Sequence, residues 1–175
     1  APRLVRALRV GLVLLLMQIA LGGWTSTNYA ALACSDFPTC HGAWWPATDY
    51  ANAFHVLREL GMTAEGQLLS LEALTAIHWT HRLGALVVGP YLSILALVLL
   101  RRGATAGWGA ALLAGVALQI GLGIANVVLS LPLPLAVAHN AVAAALLLLM
   151  VAANYRYRGA RAPAWSGRQH ANAYA

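Results

Sequence analysis

Long apolar runs alternate with shorter polar segments along most of the chain, and four of the runs are long enough to cross a bilayer, which takes about 20 mostly apolar residues. The pattern predicts membrane helices at residues 10–29, 74–100, 108–129 and 133–155. A long polar loop follows the first helix, whereas short turns join the others. The expected fold is all-α: an integral membrane four-helix bundle over residues 1–157 and a disordered polar tail over 158–175.

The four predicted helices form two copies of one hairpin. The first helix of each copy carries a similar segment, QIALGG at 18–23 and QIGLGI at 119–124. The second helix of each copy carries a histidine near its start, His81 in one and His139 in the other. Both hairpins are expected to run in the same direction, so the repeat axis lies along the membrane normal. The glycines and glutamines suit close helix contacts in lipid.

Charged residues predict the orientation of these helices. The chain has no lysine, and its arginines flank the apolar runs, whereas all five acids lie in the long loop or at its end: Asp36, Asp49, Glu59, Glu65 and Glu72. The arginine bias places both termini and the Arg101-Arg102 turn in the cytoplasm of a bacterial inner membrane, and the long loop in the periplasm. The net charge of +6 is then a topology signal, and nucleic acid is not an expected partner.

Two features of the long loop carry further predictions. Cys34 and Cys40 lie where an oxidising compartment permits a disulfide. A structural staple worth about 2–3 kcal/mol and an electron-passing redox pair both stay open as interpretations. Further along, apolar residues recur at helical spacing within residues 50–60, which predicts a short amphipathic helix that lies on the membrane surface or caps the bundle.

His81 and His139 are the candidate site. An ionisable side chain in a membrane segment is costly, so its default interpretation is functional. Two imidazoles at similar depth on different helices suit a heme with two axial histidines, although a proton path or plain helix contacts would also use them. Arg82 is expected to pair with a heme propionate or to reach the interface. His78, on the same helix face as His81, is a propionate partner, a proton carrier, a metal ligand or an interfacial residue without a special role.

The combination resembles the heme A synthase family over about residues 8–157. The matching features are the glycine-rich end of the first span, the two loop cysteines, a Trp-Trp-Pro segment, the THRLG start of the second span and the His-Asn start of the fourth. The resemblance implies that His81 and His139 ligate the iron of heme b, or of heme O or heme A as substrate or product, and that Cys34 pairs with Cys40. It also implies a part in heme A biosynthesis, with terminal oxidase assembly factors and membrane lipid as partners.

Typical bacterial members of that family have eight spans in two four-helix halves, and this chain resembles the C-terminal half. The catalytic half has a glutamate where this chain has His78. Three arrangements are therefore expected alternatives: part of a longer chain, a complex with a second four-helix half, or a homo-oligomer. Oxidation of the heme O methyl group is the implied activity, and a non-enzymatic b-type heme electron carrier is the alternative function.

Overall fold

The computed structural model describes residues 2–57 and 59–158, and the predicted tail beyond Arg158 lies outside the described residues. The all-α prediction is confirmed. The elements are two short 3-10 turns, at Ala30–Leu32 and Gly103–Thr105, and five helices: α1 Pro2–Thr27, α2 Tyr50–Ala53, α3 Leu71–Leu100, α4 Ala106–Val128 and α5 Leu133–Arg158. Within the described ranges, four helices are long and apolar enough to cross a membrane, as predicted.

The four long helices form a closed ring in which each packs against two neighbours. The order around the ring is α1, α3, α4 and α5, so α3 and α5 face each other diagonally. Neighbours run in opposite directions, which places both predicted hairpins in the same orientation. Polar contacts join α1 to both flanking helices, because the Tyr91 hydroxyl donates to the Ala7 carbonyl at 2.9 Å and Asn154 Nδ2 donates to the Leu8 carbonyl at 3.0 Å. Such bonds stabilise helix association in lipid.

The apolar core occupies the half of the bundle that lies away from the long loop. It combines the first half of α1 and α4 with the second half of α3 and α5. The buried residues of this core are Leu8, Leu15, Val88, Leu92, Leu95, Ala96, Leu99, Leu112, Val116, Leu146, Met150 and Ala153. Close van der Waals packing is the main source of association between helices in lipid. This half of the bundle therefore determines the relative positions of the four helices.

The prediction of an amphipathic helix over residues 50–60 is correct for its first turn and wrong beyond it. Asp49 caps α2 by accepting the Asn52 amide at 3.1 Å, but the helix ends at Ala53. The indole of Trp24 donates to the Ala53 carbonyl at 2.9 Å, and Phe54 stacks on the same indole with ring centroids 6.5 Å apart. These contacts to α1 replace the next helical turn, and Leu57 is left 99% exposed.

Gly109→Ala is expected to weaken the packing of α4 against α3. A Cβ at this position would lie 2.6 Å from both the Ala96 carbonyl oxygen and the Leu100 amide nitrogen, so backbone would have to move. We expect the free energy of unfolding in detergent to fall by about 1–3 kcal/mol, as for other overpacked sites. Gly121→Ala is the matched control on the same helix, because its Cβ would meet nothing within 4 Å. Equal stability of the two variants would contradict this interpretation.

Candidate functional site

The level of His81 and His139 has no fully buried residue within the described part of the chain. Among the described residues, none is buried between Leu15 and Thr25 on α1 or between Trp79 and Val88 on α3. The same holds between Val116 and Asn126 on α4 and before Leu146 on α5. All four helices therefore lack fully buried residues at one height, near the long loop. Both histidines stand at this height and are only partly buried.

A glutamine and a glycine of α1 hold the His81 side chain. Gln18 Nε2 lies 3.0 Å from His81 Nδ1 and donates to the His81 carbonyl at 2.9 Å. Gly22, one turn further along α1, passes so close that a Cβ there would lie 3.0 Å from His81 Cε1. The imidazole thus lies flush against the α1 backbone, and a hydrogen bond fixes one of its two nitrogens.

The second hairpin repeats this arrangement around His139. Gln119 Nε2 lies 3.1 Å from His139 Nε2, and a Cβ on Gly123 would lie 3.2 Å from His139 Cε1. His139 Nδ1 is buried without a hydrogen-bond partner within the described part of the chain. The repeat seen in the sequence therefore corresponds to a repeated contact, in which a glutamine and a glycine one turn apart hold a histidine of the next long helix.

The two histidines come from helices that face each other across the bundle. His81 belongs to α3 and His139 to α5, which are diagonal in the ring. Two nitrogen bases on diagonal helices of a four-helix bundle are a common way to bind a flat metal complex, because neutral imidazole is an established axial ligand for heme iron.

Arg82 fastens the disulfide loop to α3. Its Nη1 donates to the carbonyls of Asp36 and Thr39, both at 2.9 Å, and its Nη2 donates to the Cys34 carbonyl at 3.0 Å. Its Nε lies 3.1 Å from His78 Nε2. Four of the five guanidinium N–H groups are thus used, and one on Nη2 has no partner among the described residues. The propionate role of Arg82 stays a prediction that rests on this one N–H.

His78 is buried in the same cluster and stands beside the site. Its Nε2 accepts from Arg82 Nε, so a neutral ring carries its proton on Nδ1, with the Ala30 carbonyl as an available acceptor. The Cys34 amide also approaches Nδ1, at 3.3 Å, and this longer contact is the weaker one. Both ring nitrogens therefore face groups of the loop and of Arg82, and the predicted propionate, proton-carrying and metal-binding roles of His78 remain untested.

The disulfide between Cys34 and Cys40 forms, with Cα atoms 4.8 Å apart, and it packs on the Trp79 side chain of α3. Asp36 organises the turn inside this ring. One of its carboxylate oxygens accepts from the Thr39 hydroxyl at 2.6 Å and the Gly42 amide at 3.0 Å, and the other accepts from the His41 amide at 2.6 Å. These bonds favour the charged form, and they lower the pKa of Asp36 from 3.8 to about 2.

Thr39→Val is expected to raise the pKa of Asp36 toward 3.8, because the Thr39 hydroxyl is the largest cause of its depression. A carboxyl whose pKa is lower in the folded state adds stability above its unfolded pKa, and this stability is lost as the pH falls through the folded pKa. The turn should therefore weaken between about pH 4 and about pH 2. A ¹³C NMR titration of the Asp36 carboxyl carbon measures the midpoint, with Thr48→Val as the control. Equal midpoints in wild type and Thr39→Val would contradict this origin.

Sequence reasoning singles out the two histidines as candidates but misses the side chains that hold them. The sequence predicts only general helix contacts for Gln18 and Gln119. Their equivalent positions, each in the helix before a candidate histidine, are the signal that could have revealed the contacts to His81 and His139. Asn140 follows His139 but is exposed. His41 in the loop contacts α3, with its Nε2 3.2 Å from the Thr75 hydroxyl. Within residues 2–57 and 59–158, no group of three or more His, Cys, Asp or Glu side chains is arranged to hold a metal ion.

Comparison with known proteins agrees with this architecture. The family model described as cytochrome oxidase assembly protein, COX15-CtaA, matches residues 1–151. A heme A synthase from Shewanella oneidensis (strain MR-1) is 42% identical over 122 residues, which cover 70% of this chain and 37% of the relative. The chain thus matches well under half the length of that relative. No solved structure matches the chain. With four apolar helices long enough to span a bilayer, the chain is a multi-pass membrane protein that belongs to the heme A synthase (COX15-CtaA) family.

Proposed function

We propose that this chain is a heme-binding unit of the heme A synthase family and acts in heme A biosynthesis for cytochrome oxidase assembly. The supporting observation is the pair of repeat-related histidines on diagonal helices, each held by a glutamine of the preceding long helix. His81 and His139 would ligate heme iron from opposite sides. When bound, the heme supplies redox chemistry, and the protein supplies ligation, orientation and a shielded site.

The residues present fit this group. Two imidazoles offer nitrogen ligands, and Gly22 and Gly123 let these rings lie directly against the helix backbones. The spare N–H on Arg82 is one candidate contact for a propionate, because arginine binds carboxylates well. The loop that Arg82 fastens would cover this end of the site on the periplasmic side. That orientation follows from the arginines that flank the other ends of the helices.

The length of the chain bears on its partners. The aligned segment covers 37% of the related heme A synthase. The full reaction of such a protein would then involve a second four-helix unit, supplied by a longer chain, another protein or another copy of this chain. The other proposed partners are assembly factors of the terminal oxidase and membrane lipid.

Titration of the purified protein with hemin in lipid nanodiscs tests the central claim. We expect saturable binding of one heme per site, with the low-spin spectrum of a heme with two axial imidazoles. A protein that takes up hemin only non-specifically, or that gives a purely high-spin spectrum, would refute the proposed ligation. Pyridine extraction of the native pigment identifies which heme the protein carries from cells.

A second candidate function is a non-enzymatic electron carrier with heme b. His78 favours it, because this buried position holds an imidazole engaged by Arg82 and the resemblance places a glutamate here in catalytic halves. Co-expression with a source of heme O separates the two functions. Heme A among the extracted pigments supports the enzyme, whereas unchanged heme O together with reduction of the bound heme by quinol supports the carrier.

A further inference from the structure

Each candidate ligand histidine is held by a glutamine, and the two glutamines occupy equivalent positions in the repeat although they contact different ring nitrogens. Gln18 on α1 contacts His81 Nδ1 at 3.0 Å, and Gln119 on α4 contacts His139 Nε2 at 3.1 Å. In both cases a glycine four residues further along the same helix lies against the Cε1 edge of the ring. A chance packing contact has no reason to recur at equivalent positions with the same chemistry.

The polar atoms left over at both places point to an arrangement completed by a ligand. The amide oxygens of Gln18 and Gln119 are buried without hydrogen-bond partners among the described residues, and so is His139 Nδ1. A buried amide oxygen without a partner is costly, and native structures contain few of them. The arrangement therefore provides two unused acceptors, each on an amide that already contacts an imidazole.

We propose that Gln18 and Gln119 are positioning residues that orient His81 and His139 as iron ligands, and that the Gln18 amide oxygen accepts the Nδ1–H of His81 when Nε2 binds iron. This inference rests on the proposed heme-binding function. A neutral imidazole that gives one nitrogen to iron carries its proton on the other, and ligating histidines donate that proton to an acceptor. A half-turn of the Gln18 amide brings its unused oxygen to His81 Nδ1, the nitrogen that its NH₂ group now contacts. Gln119 contacts Nε2 of His139, so the His139 ring also has to turn before Nε2 is free for iron.

The two glutamines would differ in how easily they turn. Gln18 gives up its 2.9 Å bond to the His81 carbonyl when the amide rotates, whereas no second bond holds the Gln119 amide within the described residues. The glycines complete the support, since a Cβ on Gly22 would push the His81 ring away from α1. Nearby Gly23 meets nothing within 4 Å and supplies a matched control.

Substitution of the glutamines tests the inference. Gln18→Met and Gln119→Met keep the length of the side chain and remove the acceptor, so hemin affinity should fall by about 10–100-fold, the usual effect of losing a partner of a metal ligand. The heme midpoint potential should rise, because the imidazole becomes a weaker base. Gln18→Glu, which supplies a stronger acceptor, should restore affinity and lower the potential. Gly22→Ala should shift the electron paramagnetic resonance of the ferric heme, and Gly23→Ala should not.

Two outcomes decide against the proposal. Methionine variants that lose thermal stability yet keep the wild-type hemin affinity, potential and resonance would show that the glutamines only join helices. Ring ¹⁵N NMR of the heme-free protein supplies an independent measurement, in which Gln18→Met should alter the tautomer of His81 and unaltered ring shifts would overturn the contact. Wild-type protein that binds no heme would instead refute the proposed function, and the ¹⁵N measurement keeps that failure distinct.

Discussion

Alanine in place of His81 or His139 is expected to abolish the low-spin heme spectrum. Each histidine supplies one of the two axial ligands in the proposed site, so either variant leaves five-coordinate iron. Loss of a residue that only supports a ligand costs 10–100-fold in affinity, and loss of the ligand itself should cost more, so we expect hemin to bind at least about 100-fold more weakly. Hemin titration with optical and magnetic resonance spectra of each variant measures both effects.

Two control variants make this result specific to the ligands. Asn140→Ala changes the exposed residue next to His139, and His41→Ala removes a loop imidazole that contacts Thr75. Both should retain the low-spin spectrum. Circular dichroism of the heme-free proteins should show the same helix content in all variants, since neither His81 nor His139 belongs to the apolar core. A low-spin spectrum that survives in both alanine variants would mean that the heme binds elsewhere.

The membrane helices could be predicted from sequence because their signal is strong and local. Runs of apolar residues gave all four spans, and the observed starts of α1 and α3 lie earlier than predicted. The flanking polar residues of α1 and the capped first turn of α3 extend these helices beyond their apolar parts. Ser70, for example, accepts the Ala73 amide at 3.2 Å and so begins α3 before the hydrophobic run.

The helix predicted in the long loop ends early because of a tertiary contact that cannot be read from the local spacing of apolar residues. Its apolar spacing was suitable, but Trp24, which lies about 30 positions earlier in the chain, takes the Ala53 carbonyl and stacks on Phe54. A tertiary hydrogen bond to a helix-terminal carbonyl competes with helix continuation. Such competition depends on how α1 and the loop meet, which the spacing of apolar residues does not encode.

The candidate site was also only partly predictable from the sequence. The repeat pointed to His81 and His139 because equivalent positions are visible in the sequence. The partners of Arg82 were not predictable, since three of them are backbone carbonyls of a loop that lies more than 40 residues earlier. Backbone acceptors leave no trace in the identity of residues. The sequence predicts the long loop of the first hairpin and the short turn of the second, but it does not predict how Arg82 attaches that loop to α3.

Arg82→Met is expected to release the disulfide loop from α3. The variant removes four hydrogen bonds from a guanidinium that is partly buried, three of them to backbone carbonyls. A hydrogen bond to a charged group contributes about 1.5–3 kcal/mol, so the free energy of local opening should fall by at least about 2 kcal/mol even after water replaces some partners. Amide hydrogen exchange across residues 34–43 should therefore accelerate by at least about 30-fold in the heme-free protein.

Heme-free protein is the informative state, because it separates the loop contact from any contact with a propionate. A purely propionate-binding Arg82 would leave loop exchange unchanged in Arg82→Met and alter only hemin affinity. Arg82→Lys should protect the loop only partly, since an ammonium lacks the planar fork that reaches Cys34, Asp36 and Thr39 together. Arg101→Met, at an exposed arginine beyond the far end of α3, is the control for loss of charge. Because Arg82 directly follows His81, release of the loop would also disturb the end of α3 that presents this imidazole.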